Sequence, residues 1–582
     1  MSTLAKPRTA RVPIDRATID SPDAPPRAER WPRLWPVWIA AAVLLGFVHL
    51  WLTIGFGLVF PSHGFWHSVL GDTSMNVLGA EAFQRDSVWH FPIATTTRVL
   101  SGGSPVSIVY TDSAPWIAVV LKALGLGVED VSIMGVVAVL SVVLQPIAFA
   151  LLLLALGVRR VESVLVGAIL GSLLPAWYMR LVWHVALSSH WLVVLALAVA
   201  ATAIRAGVSW RVIAGLAALG ALSIGIHAYL FVMVAAIAAG ALLADVARVG
   251  TKAVPRAAAG LALFLVCSGV SAWVLGYGGG GGVGGFGRFS MNALSPLIPQ
   301  KSGVALALLG YSRNFLDATG GQYEGFNYLG AGVLLCIGAA VLAMVRHRPA
   351  FAAWRPAMPL IAVLFALTAL ALSNKAYAGS WLVANVPLPS GLMALLDEVR
   401  SSGRMFWPVA YMALAGAILA LDRLPSRELA GAALAGALTL QGIDTGELRR
   451  ILITEYWPRP GRKPMFDASL WETNGRFAGR DLRMIPSYLC TPDDHEIMRQ
   501  AALTVVRSGG TVDGGPIARV DPSLCSGEAV ARAVSNPRLG QIDLLMTRFL
   551  PAAIVDRTAR SRPCTAVSGG LLCGDEGELS SP

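Results

Sequence analysis

Charge is what this sequence has little of. Asp, Glu, Lys and Arg make up 14% of its 582 residues while AVILMFWYC make up 55%, whereas a soluble domain is about 25% charged. This excludes an ordinary soluble chain and leaves an integral membrane protein. Nucleic acid is excluded as a partner as well, because the net charge of +11 sits in short connections between apolar runs, without a basic stripe carrying interleaved aromatics. No self-similarity recurs at a period of roughly 20 to 50 residues, which excludes a solenoid. Cysteine is sparse too. Cys267 and Cys336 fall in apolar runs, and Cys490, Cys525, Cys564 and Cys573 all fall in the C-terminal tail. An even number in one segment fits two disulfides in an oxidising compartment, with three pairings open. Paired C-x-x-C units are missing, so zinc is the weaker reading of these thiols.

What the chain does have is long apolar runs. A transmembrane helix needs about 20 such residues, and candidate spans lie near Pro36–Phe60, Val131–Leu156, Val161–Trp177, Leu187–Ile204, Val212–Ile226 and Tyr229–Val246. Others lie near Ala257–Tyr277, Tyr328–Val345, Met358–Ser373, Met405–Leu421 and Leu429–Ile443. The expectation is an α-helical polytopic protein with about eleven spans. Lys and Arg set its orientation. The basic lead (Lys6 to Arg33) goes inside, and Arg159–Arg160, Arg205/Arg211, Arg248/Lys252/Arg256, Arg346/Arg348/Arg355 and Arg423/Arg427 then alternate onto the same side. The N-terminus is therefore expected in the cytoplasm and the tail outside.

Three parts follow. Residues 1–34 read as a disordered cytoplasmic lead, rich in Pro, Arg and Ala, and not as a cleavable signal peptide, because the first apolar run is long and has no small-residue cleavage site. Residues 35–443 are the transmembrane domain, with a first outer loop at 61–130. Residues 444–582 have domain size, and the runs Ala501–Val506, Ile517–Val520 and Ile542–Leu545 between turn-forming residues predict a small extracytoplasmic α/β domain.

The first outer loop carries the candidate chemistry. Gly71-Asp72-Thr73 opens an amphipathic helical pattern, and Tyr110-Thr111-Asp112-Ser113 precedes Pro115 and the short run Ala114–Leu124, which fits a helix at the membrane interface. Each carboxylate has a plain structural reading at a helix start, since Asp is a favoured N-cap and Pro a favoured first-turn residue. Their combination in one outer loop points to use.

The long first outer loop with an early Asp, the two interfacial helices (about Thr73–Arg85 and Ser113–Leu124), the many spans and the terminal outer domain resemble the GT-C superfamily of membrane glycosyltransferases. The stretches Phe83-Gln84-Arg85-Asp86, Trp89-His90-Phe91-Pro92 and Arg400-Ser401-Ser402-Gly403-Arg404-Met405-Phe406-Trp407 resemble an uncharacterised bacterial membrane family of that architecture. The resemblance implies a polyprenyl-phosphate-linked sugar donor, a cell-envelope glycan, lipid or protein acceptor, and a site on the outer face of the bacterial inner membrane. Asp72 is then the candidate general base, with Asp112 beside it. It also implies Asn76, Arg85, Trp89 and His227 as substrate contacts. The first loop has no Asp-X-Asp or Glu-X-Asp pair, so neither a divalent metal nor another cofactor is expected.

A departing lipid phosphate calls for cations, and Arg meets phosphate oxygens bidentately. Arg404 is the leading phosphate ligand, followed by Arg400, Lys122 and Arg98. Arg180, Arg313 and Lys375 are also outside, where snorkelling explains a long cation. The run Tyr277–Gly287 lacks the Lys-Ser/Thr of a phosphate-binding loop and reads as a loop. His227 has a bland reading as a polar helix end, and His184 and His190 flank Trp183 and Trp191 like an aromatic belt. Two other functions remain open. One is a transporter or exporter of a lipid-linked envelope precursor, although the spans are nearly free of charge and show no broken repeat; the other is a non-catalytic envelope assembly protein.

Overall fold

In the computed structural model, all eleven expected apolar runs are helical, and breaks fall where the sequence supplies a cap or a proline. The structure describes residues 32–67, 69–278, 284–310, 316–347, 355–456, 480–491, 495–518, 521–537, 540–567 and 569–574. Almost all of the expected lead, Arg313 and the middle of the glycine-rich run lie outside the described residues. Among the described residues, seven helices are long and apolar enough to cross a membrane: Trp35–Thr53, Ile133–Leu156, Val185–Ala206, Ala228–Val249, Thr251–Leu275, Arg355–Leu372 and Ser402–Asp422. The pair Val161–Gly171 and Pro175–Trp183, bent by 43°, passes the same test when taken together. The chain is a multi-pass membrane protein. Three of the expected eleven runs fall short of this test: Trp210–Ile224 and Ala331–Arg346 are apolar but short, and Arg427–Asp444 carries Arg427, Glu428 and Asp444 at its ends.

Local chemistry explains the boundaries. Ser132 caps Ile133–Leu156 by accepting from the Gly135 amide, and the helix stops at Gly157, in the left-handed conformation that closes helices. The bent pair breaks before Pro175, which has no amide to donate and disfavours a helical residue before it. That bend matters for function, because it re-aims Arg180 and His184 away from the axis of the first half.

The two interfacial helices form as Asp72–Arg85 and Pro115–Ala123. Between them runs a hairpin, β1 (Thr95–Ser101) and β2 (Ser104–Ser107), turned at Gly102-Gly103 with φ of 60° and 86°, as a two-residue hairpin turn requires. A second hairpin, β3 (Lys375–Ala378) and β4 (Trp381–Asn385), follows the span ending at Leu372.

The tail contributes β5 (Asp481–Ile485), β6 (Thr511–Asp513), β7 (Gln541–Leu545), β8 (Cys564–Val567) and β9 (Gly570–Cys573). Together with the first-loop hairpin they make one seven-stranded sheet in the order β2-β1-β6-β5-β7-β9-β8. β1 pairs parallel with β6, Val99 opposite Val512, and β5 pairs parallel with both β6 and β7. The tail is therefore stitched to the loop between the first two spans through its sheet. Ile542–Leu545 lies in fully buried β7. Ala501–Val506 belongs to the helix His495–Arg507, which buries Met498, Ala501, Ala502, Leu503, Val505 and Val506, and this helix packs on Asp72–Arg85. The disulfides are Cys490–Cys525 and Cys564–Cys573, while Cys267 and Cys336 are free.

Candidate active site

A cavity of about 470 Å³ opens where the first loop, the helix ends at His184, His227 and Arg404, and the tail converge. Asp72, Asp112, His184, His227, Arg400 and Arg404 all line it, with Tyr229 between the helices and Tyr488 and His495 from the tail.

Asp72 is the first residue of its helix. The N-cap position belongs to Gly71, and no side chain caps this end. The plain reading of Asp72 as the N-cap is thereby corrected, and its carboxylate, 45% exposed, is free to face the cavity. Asp72 Oδ2 lies 3.3 Å from His184 Nδ1 and Oδ1 lies 3.4 Å from Arg499 Nη1. The tail holds this helix start firmly: the Gly71 amide donates to Glu496 Oε2 (2.9 Å), Gln500 Nε2 donates to the Val69 carbonyl (2.6 Å), and Arg507 bonds both oxygens of Glu81.

Asp112 is placed by close packing of its turn on the same helix. A Cβ at Gly79 would lie 1.9 Å from Thr111 Oγ1 and 2.5 Å from Ser113 Oγ, so only glycine admits the turn. Asn76 Nδ2 donates to the Thr111 carbonyl (3.0 Å), and Ser113 Oγ donates to the Asn76 carbonyl (2.7 Å). Asp112 and Ala114 both sit at positive φ, 52° and 50°, strain that functional segments often hold. Asp112 Oδ1 lies 3.4 Å from His227 Nε2. His227 Nδ1 accepts from the Tyr229 amide at 3.2 Å, which leaves Nε2 as the protonated nitrogen aimed at Asp112. Burial alone would raise the Asp112 carboxyl; the His227 contact, Arg404 and His184 together outweigh it and hold the group below its ordinary value.

Behind these residues stands Glu324, which sequence reasoning missed. Its Oε2 accepts from Arg180 Nη1 (2.7 Å) and Arg404 Nη2 (2.8 Å), its Oε1 lies 3.2 Å from His184 Nε2, and its backbone carbonyl accepts from Arg180 Nη2 (2.9 Å). Burial pushes its carboxyl up, yet Arg180, Arg404 and His184 prevail and keep it well below the usual carboxylate range. Asp72 and Arg404 are thus the two ends of one chain of contacts, Asp72–His184–Glu324–Arg404. Two guanidiniums share this carboxylate, and the cavity lining as a whole sets Asp72, Asp112, Asp397 and Glu398 beside Arg400 and Arg404. Arg404 also lies 4.8 Å over the Tyr229 ring, Tyr229 OH accepts from the Ser401 amide (2.8 Å), and Arg404 Nε has no partner among the described residues. Arg400 stacks 5.2 Å over Phe289.

The tail wall is aromatic. Arg499 Nη1 donates to Tyr488 OH (2.8 Å), and His495 stacks on Tyr488 at 4.1 Å. Burial first, then the Arg499 charge, push His495 below its ordinary value, so it lines the cavity as a neutral ring.

The other sequence candidates lie elsewhere. Lys122 donates to the Phe83 carbonyl (2.9 Å) and sits over the Phe83 and Trp89 rings. Arg98 Nη1 donates to the Gly509 carbonyl (2.7 Å), joining the loop to the tail. Arg85 pairs loosely with Glu129 at 3.7 Å, and Asn76 is a buried strut. None of these lines the cavity, so Lys122, Arg98, Asn76, Arg85 and Trp89 are not brought together with Asp72 and Arg404. His184, read as part of an aromatic belt, is instead bonded between two carboxylates. His190 is a core residue, with Nδ1 2.9 Å from Tyr411 OH and its ring 4.0 Å from Trp407.

No curated protein matches this chain. Among solved structures, mycobacterial arabinofuranosyltransferase AftD, determined by single-particle cryo-EM, is similar over 91% of this chain and 37% of that one, at 14% identity and a TM-score of 0.45. A mutant of the same protein matches over 88% and 36%, at 16% identity and the same score. The chain spans little more than a third of the AftD chains it matches. A family model described as a domain of unknown function (DUF6311) matches residues 43–446, and the chain belongs to that family.

Proposed function

We propose that this DUF6311 member is a membrane glycosyltransferase of the GT-C type, moving a sugar from a polyprenyl-phosphate donor to a cell-envelope acceptor on the outer face of the inner membrane. The observation that carries the reading is a single cavity holding a half-exposed carboxylate, Asp72, at one end of an ionic chain whose other end is Arg404. In the reaction an acceptor hydroxyl attacks the anomeric carbon and its proton passes to Asp72. The bond from that carbon to the donor phosphate oxygen breaks, and polyprenyl phosphate leaves. Arg404 and Arg400 meet the developing phosphate charge. His184 orients Asp72 from behind by bridging it to Glu324. Asp112 and His227 form the facing wall. The disulfide-bonded tail contributes Tyr488 and His495, the stacking surfaces that sugar rings favour.

The test is transfer of radiolabelled sugar from a polyprenyl-phosphate donor in membranes holding the full chain. Asp72→Asn preserves shape and leaves Gly71 as the cap, so the folded level stays at wild type while transfer falls about 10² to 10⁴-fold, the usual worth of a general base. Transfer retained in that variant excludes Asp72 as the base. Loss of the folded protein assigns Asp72 to holding the tail through Arg499.

A further inference from the structure

A second cavity, of about 330 Å³, lies between the helices Trp191–Ala206, Ala331–His347, Met358–Leu372 and Trp407–Asp422, remote from the first loop and the tail. Its walls are apolar, including Ile204, Leu360, Leu364, Met412 and Leu419, and the polar residues lining it are two arginines, Arg205 and Arg423. Both arginines are at helix ends: Arg205 is in the last turn of its helix and Arg423 directly follows Asp422. Leu156, the last residue of its helix, and Ala357, the cap of Met358–Leu372, line the same end. From Arg423 the lining reaches back to Met412, roughly 16 Å along a helix at 1.5 Å per residue. The cavity is therefore long, charged at one end and apolar along the rest.

Its flanks face lipid. Leu342 and Phe365, on two of the helices that bound it, are 74% and 76% exposed. Water gains little in an apolar cavity, and an empty one deprives its lining of dispersion contacts. An acyl chain restores those contacts. The guanidinium pair at the mouth selects the headgroup, since arginines between helices at the basic face of a membrane protein meet lipid phosphates with their planar donor forks. We propose that this cavity binds one acyl chain of an anionic phospholipid, whose headgroup phosphate rests on Arg205 and Arg423. The site is independent of the glycosyltransferase reading.

Full-length protein, stripped of lipid in detergent, is titrated with phosphatidylglycerol or phosphatidylcholine, and binding is read by native mass spectrometry. Both headgroups carry the phosphodiester, but the choline ammonium of phosphatidylcholine opposes the two arginines, so phosphatidylglycerol binds tighter by roughly tenfold. Arg423→Gln weakens phosphatidylglycerol more than phosphatidylcholine and so shrinks that preference; Arg205 is left intact because its Nη1 also holds the Ala155 carbonyl at 2.9 Å. Gly416→Phe fills the cavity: Gly416 lines it, and a Cβ there meets nothing within 4 Å. This variant loses both lipids while its lipid-free unfolding midpoint stays at or above wild type. Equal affinity of the wild type for the two lipids, or phosphatidylglycerol binding retained in Gly416→Phe, overturns the proposal. Should Gly416→Phe not fold, the Arg423→Gln preference alone decides it.

Discussion

Glu324→Gln tests the electrostatic logic of the site independently of any substrate. The glutamine keeps the size and one acceptor oxygen but removes the only negative charge that Arg180 and Arg404 share, and the Glu324 side chain is only 12% exposed. Two buried cations are then left facing each other. Removing one partner of a buried pair typically destabilises by about 3–5 kcal/mol. Arg404→Gln is milder, because Glu324 keeps Arg180 and His184, and the loss is about that of one hydrogen bond to a charged group, roughly 1.5–3 kcal/mol. The double variant should therefore destabilise by less than the sum of the two singles. The assay is the thermal unfolding midpoint of the full chain in one detergent. The pH dependence has a definite sign. The Glu324 carboxyl is held below its unfolded value of about 4.3, so its contribution is complete above that value and is lost as pH falls through the lower folded value. The gap between wild type and Glu324→Gln does not narrow from about pH 8 to pH 5, and narrows only below about pH 4. Equal destabilisation by Arg404→Gln and Glu324→Gln, or a gap that closes between pH 8 and pH 6, refutes the reasoning.

Two further outcomes are expected. The disulfides close loops of sequence separation 35 and 9, for which chain entropy gives about 3.8 and 2.6 kcal/mol; replacing Cys490 and Cys525 with Ser should sensitise the tail to protease more than replacing Cys564 and Cys573. Alkaline phosphatase fused after Ile443 should be active and a fluorescent protein there dark, the opposite pattern overturning the outward assignment of the tail and of the site.

What could be read from the sequence, and what could not, divides along the range of the interactions. The helices follow from apolar runs and their caps, which are local, and so the expected segments and the two interfacial helices are all present. The span count is harder, since fifteen apolar residues such as Trp210–Ile224 satisfy a helix pattern before they satisfy a bilayer. Asp72, Asp112, Arg400 and Arg404 were legible as polar residues out of place beside apolar runs, and the structure gathers them into one cavity. Glu324 gave no such signal: it stands alone in a loop, with no motif around it. Its meaning comes from Arg180 and Arg404, 144 and 80 residues away. A charge balance over the outer loops would have raised it, because several outer cations had been assigned without a counter-charge. The first-loop hairpin was not expected, although Thr95-Thr96-Thr97 and the Gly102-Gly103 turn carry its signal, and nothing local says that β1 will pair with β6 of the tail. That pairing has a functional consequence. Sheet, helix His495–Arg507 and the Arg499 contact join the tail to the very loop that carries Asp72 and Asp112, so a tail displaced from β1 would carry Tyr488 and His495 out of the cavity and release Asp72 at the same time. The tail and the loop that carries the candidate base are thus held by the same contacts.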